Sequence, residues 1–145
     1  MNLDEIKNEW LKDSQVNTND INLETIRTSS LHAKYISEVV FYKKQQLKLE
    51  DEYAISKKDK LRYYSGFMGK DELEKLGWEQ YNGRKLLKDE MQSFIIGDED
   101  LQLISKRIDY CKISIYLLEG ILKDLYGRNY MIKNYIENRK FEAGF

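Results

Sequence analysis

"LQLISKRIDYCKISIYLLEGILKDL", Leu101 to Leu125, is the stretch on which the fold turns. Leu101, Ile104, Ile108, Cys111, Ile115, Leu118, Leu122 and Leu125 follow one another in unbroken steps of three and four. On an α-helix such steps fall on one face. The face continues as Asn129, Ile132, Ile136 and Arg139. A second stripe, Leu103, Tyr110, Leu117, Ile121, Met131 and Tyr135, runs along another side. A helix apolar on two sides needs two partners. Either both stripes are covered within the chain, or one meets another subunit. We read the region from about 98 to 141 as an oligomerisation helix, with Ile108, Cys111, Ile115, Leu118, Leu122 and Leu125 at the seam.

Upstream, the chain keeps the same character. It has no proline, and all of its eight glycines lie at position 66 or later. These two residues are the main interrupters of helices. The spacing predicts a short helix through "LDEIKNEWL" and a connector at "DSQVNTND". A long helix is expected from Asn19 or Asp20 to Ser65-Gly66. Ile26, Ala33, Val40, Leu47, Ala54 and Leu61 recur every seven residues and form its expected seam. "FMGK" reads as a turn. "DELEKLGWEQYNGRKLLKDEMQSF" reads as one irregular helix weakened by Gly77 and Gly83, and Asp98 as the N-cap of the last helix. The expectation is a single all-α domain of 145 residues, long helices ending in the heptad-patterned one.

Charge is uneven. Residues 41–88 carry 12 basic and 8 acidic side chains, whereas residues 1–40 carry 4 and 7. A formal net charge of −1 therefore leaves room for a local positive stripe. The single cysteine, Cys111, cannot form an intramolecular disulfide and reads as a small buried hydrophobe. One histidine, His32, cannot build a zinc site alone. The acids of 98–100 are explained by helix capping more simply than by a metal. No nucleophile elbow, phosphate loop or ligand cluster is present, so neither an enzyme nor a cofactor is expected. The N-terminus lacks the basic and apolar regions of a signal peptide.

"KKDKLRYYSG" concentrates the positive charge: Lys57, Lys58, Lys60 and Arg62, followed by Tyr63 and Tyr64. Cations that neutralise phosphates and aromatic rings that stack on bases are what single-stranded nucleic acid requires. The same residues could form a solvated helix end, with the tyrosines in the core. Arg128, Lys133, Arg139 and Lys140 make a second basic group.

"LRYYSG" at 61–66 and "NRKFEAGF" at 138–145 carry a resemblance, together with "LHAKY" at 31–35 and "KKQQLKLE" at 43–50. In order and separation these segments resemble the UvsY family, the recombination mediators of T-even-type bacteriophages. The stretch from Phe67 to about Ile96 differs from the family pattern, and Phe145 stands where a basic residue is familiar. The resemblance implies a non-enzymatic, ring-like and heptameric homo-oligomer in the cytoplasm of an infected bacterium. It implies binding to single-stranded DNA and help to a RecA-type recombinase on DNA coated by the phage single-strand-binding protein. Lys58 and Lys60 match the family's DNA-contacting cations, and the C-terminal part its self-association. A helical adaptor that binds only protein is the alternative.

Overall fold

Asn2 opens the first helix. Its side chain accepts from the Glu5 N–H at 2.9 Å, while the Glu5 carboxylate accepts from the Asn2 N–H at 2.7 Å, a reciprocal capping box. The computed structural model describes residues 1–145 as five helices: α1 Leu3–Asp13, α2 Ile21–Tyr64, α3 Lys70–Leu76, α4 Lys88–Gly97 and α5 Glu99–Glu142. The all-α expectation holds, as do the two long helices, each of 44 residues. The expected helix through 71–94 is instead two short helices around a non-helical stretch. Gly77 adopts φ 71° and ends α3, a left-handed conformation that costs glycine little.

The chain divides into two compact units, Met1–Lys44 with Cys111–Phe145, and Gln45–Tyr110. In the first, Ile6, Leu31, Tyr35, Val39 and Tyr42 are buried along with Cys111, Ile115, Leu118, Ile121, Leu122, Leu125 and Ile132. In the second, Leu49, Leu73, Ile95, Leu101, Ile104 and Ile108 form the core.

Two expectations change here. The six residues assigned to a subunit seam, Ile108, Cys111, Ile115, Leu118, Leu122 and Leu125, are buried within the chain itself. The regular 3–4 stripe is the one α5 gives to its own core. On α2 the expected seam faces outward: Ile26 is 71% exposed, Val40 47% and Leu47 63%. The buried face is instead Glu24, Thr28, Leu31, Tyr35, Val39 and Tyr42. Polar residues interrupt it, which hides its period from a hydrophobicity count.

Those polar residues hold the first unit together. The Arg128 guanidinium donates to the Glu24 carboxylate through Nη2 and to the Asp13 carbonyl at 3.0 Å through Nη1. Arg27 reaches Asp13 at 3.0 Å, and Lys34 bridges Glu9 at 2.8 Å and Asp13 at 2.7 Å. The Tyr35 hydroxyl donates to Asp13 at 2.9 Å. Burial raises the Asp13 carboxyl's affinity for a proton, but Lys34 and Tyr35 outweigh it and hold its pKa below the usual value.

Arg128→Ala leaves the buried Glu24 carboxylate with Arg27 alone, at 3.4 Å, and is expected to cost about 3 kcal/mol, the low end for a broken buried pair, read as a lower urea midpoint. Arg128→Met with Glu24→Leu removes both charges and is expected to cost much less.

Candidate nucleic-acid interface

The last two turns of α2 carry the basic and aromatic cluster, and the helix ends sharply behind it. Gly66, at φ 77°, donates to the Tyr63 carbonyl at 3.2 Å, and the Phe67 N–H donates to the Arg62 carbonyl at 3.1 Å. This Schellman closure turns the chain back so that the residues after it return against the side of α2.

Lys60 is not a free cation. It is buried, with its ammonium 3.1 Å from Asp98 and 2.7 Å from Asp100. The same ammonium lies 4.3 Å from the centre of the Trp78 ring, within the range of a cation–π contact. Burial disfavours its charge, but Asp100 and Asp98 outweigh that and raise its pKa. Lys57 and Lys58 are exposed and form no ion pair within the chain. Arg62 is exposed and pairs with Glu72 at 2.8 Å.

The tyrosines are half-buried. Tyr63 meets Trp78 edge-on at 5.4 Å between ring centres and Tyr81 at 5.8 Å. Tyr64 meets Tyr81 at 5.6 Å and Phe94 at 5.5 Å. The Tyr63 hydroxyl donates to the Glu79 carbonyl at 2.6 Å, and the Tyr64 hydroxyl to Asp98 at 2.8 Å. Both rings thus belong to an aromatic layer shared with the stretch after α3.

Asp98 organises this end. One carboxylate accepts from the Leu101 N–H at 3.1 Å, as the N-cap of α5, and from Tyr64 and Lys60. Its capping role was legible in the sequence; its grip on residues 34 and 38 positions earlier was not. The placement of Trp78, Tyr81 and Phe94 is not legible in the sequence either. Their signal was an aromatic excess beside Gly77 and Gly83, in a segment with weak helical period. In the second basic group, Arg128 is buried and committed to Glu24, whereas Lys133, Arg139 and Lys140 are exposed.

The profile of a family described as "Recombination, repair and ssDNA binding protein UvsY" matches residues 9–145. The chain belongs to the UvsY family. It is 26% identical over 144 residues to the recombination protein UvsY of Enterobacteria phage T4, covering 99% of both chains. A crystal structure of the T4 recombination mediator protein UvsY superimposes with a TM-score of 0.85 at 25% identity, covering 99% of each chain. A second crystal form gives 0.83 at 23% identity, with 98% of this chain covered. UvsY proteins are thus described by recombination, repair and single-stranded-DNA binding, not by a catalysed reaction. No helix of this UvsY-family chain is long and apolar enough to cross a membrane.

The Asp98 carboxyl is pushed up by burial but held below its ordinary pKa by Leu101 N–H, Tyr64 and Lys60. A depressed folded-state pKa contributes stability above the unfolded value, about 3.9, and that contribution is lost as pH falls through the folded value. Asp98→Asn retains a capping oxygen and is expected to flatten the fall in stability as pH drops below about 4. Urea midpoints of both proteins across that range measure it.

Proposed function

We propose that this protein is a recombination mediator: it binds single-stranded DNA and helps a RecA-type recombinase load onto DNA coated by a single-strand-binding protein. The observation that carries the reading is the likeness to T4 UvsY along 99% of both chains. The protein acts by binding, without turnover, in the cytoplasm of an infected bacterium. Lys57 and Lys58, exposed and unpaired at the end of α2, make the phosphate contacts. Lys60, Arg62, Tyr63 and Tyr64 shape the surface around them, Lys60 through its bonds to Asp98 and Asp100.

The mediator works as a ring-like homo-oligomer, heptameric by resemblance. Since α5 gives its regular stripe to the core, the subunit contact falls on what remains outside. Ile26 and Val40 in the first unit, and Leu47, Leu61 and Leu103 in the second, supply exposed apolar surface. Repetition of one weak site around a ring raises the effective concentration of the next site along the strand. To matter, the mediator must favour the recombinase-bound strand over the coated one by about 1–3 kcal/mol.

Lys57→Ala with Lys58→Ala is expected to weaken single-stranded DNA binding for every sequence alike. Two lost phosphate contacts flatten the log–log salt slope by about 1.4 per engaged subunit. Titrations at several salt concentrations check this, and an unchanged slope returns these lysines to a solvated helix end and favours the adaptor reading.

Val40→Asp with Leu47→Asp is expected to lower the mass in solution while leaving helix content intact. Leu118→Asp, in the core, is expected to cost several kcal/mol of stability instead. Sedimentation and circular dichroism of the two variants separate these effects.

A further inference from the structure

The stretch between α3 and α4, with the first residue of α4, runs "GWEQYNGRKLLK" from Gly77 to Lys88. It lies within the stretch that differs from the family pattern. The fold brings it back against the end of α2 at three points: Trp78 meets Tyr63, Tyr81 meets both tyrosines, and the Glu79 carbonyl accepts from the Tyr63 hydroxyl. Phe94 of α4 closes the layer on Tyr64.

Leu49, Leu73, Ile95, Leu101, Ile104 and Ile108 fill the second unit's interior, while Trp78 and Tyr81 stay half-exposed. Edge-to-face packing also leaves ring surface uncovered, since one ring of each pair contributes its edge. In the same short segment as Trp78 and Tyr81 stand Arg84, Lys85 and Lys88, against one acid, Glu79. Arg84 is taken by Glu90. Lys85 and Lys88 are exposed and form no ion pair within the chain. Half-open aromatic rings and unpaired cations within one short segment are the combination that holds a single strand without reading its sequence.

We propose that Gly77–Lys88 is a second contact element for single-stranded nucleic acid. Trp78 and Tyr81 present ring surface to unpaired bases, and Lys85 and Lys88 neutralise phosphates. The element rests on the strand-binding reading above and deepens it. The strand passes across the end of α2, from Lys57 and Lys58 over the aromatic layer to Lys85 and Lys88. Lys60 does not touch the strand in this arrangement; it holds Trp78 in place from below.

The test uses the full chain and oligo-dT. Lys85→Ala with Lys88→Ala removes two exposed side chains that no bond within the fold requires. The salt slope should flatten by about 1.4 per engaged subunit, so that a fourfold rise in salt weakens wild type about sevenfold more than the variant. Lys7→Ala with Lys12→Ala, an equal loss of charge on α1, should leave the slope unchanged. Oligo-dT should also quench indole fluorescence in wild type, and Trp78→Phe should abolish the quench, leaving Trp10 as the only indole. If wild type binds oligo-dT but the Lys85/Lys88 variant keeps its slope, or Trp78→Phe keeps the quench, the proposal is overturned. If both pairs of substitutions flatten the slope alike, the effect is net charge, and the proposal is again overturned. If wild type does not bind oligo-dT, the strand-binding reading itself fails, a separate outcome.

Discussion

Everything at the basic end of the molecule depends on one carboxylate. Asp98 receives the Leu101 N–H in the first turn of α5, a tyrosine hydroxyl and a lysine ammonium. A carboxylate that is buried must have its lone pairs occupied, because water is no longer there to do it. Lys60 and Tyr64 lie four residues apart on α2, hence on one face, and both point at this acceptor. The turn at Gly66 and the return of residues 77–94 then follow, since the aromatic layer can close only where Tyr63 and Tyr64 are fixed. The surface left for a ligand is what this arrangement does not use.

The first unit repeats the device with other residues. Glu24 and Asp13 are acceptors for Arg128, Arg27, Lys34 and Tyr35. Long helices with a narrow buried stripe can slide by a turn at small hydrophobic cost. A buried ion pair penalises such a slip heavily, because a displaced partner leaves a charge out of water and alone. The ionic positions therefore decide which turns face each other, while Leu118, Leu122 and Leu125 supply the apolar burial.

Local chemistry leaves local signals in the sequence. Ser65-Gly66 and Asp98 mark helix ends through bonds within a few residues, and α2 ends and α5 begins there. The 3–4 stripe of α5 is legible in the sequence but its destination is not, because period alone does not say whether the partner is the same chain or another. On α2 the seven-residue repeat from Ile26 to Leu61 has the period of a seam, and the structure turns it outward. Glu24, Thr28 and Lys60 occupy buried positions instead, and their burial depends on Arg128, α5 and Asp98, distant in sequence. The site divided in the same way. Lys57 and Lys58 were visible as a charge run, whereas the placement of Trp78 and Tyr81 required the fold.

Cys111 is the chain's only thiol, and it sits buried in the stripe that α5 gives to the core. A thiol out of solvent contact is inert towards bulky reagents until its surroundings open. Its rate of labelling is therefore a clock for the opening of α5, readable without any introduced probe. Fast labelling under native conditions would mean that this helix breathes locally; labelling that tracks global unfolding would mean that it opens only with the rest of its unit.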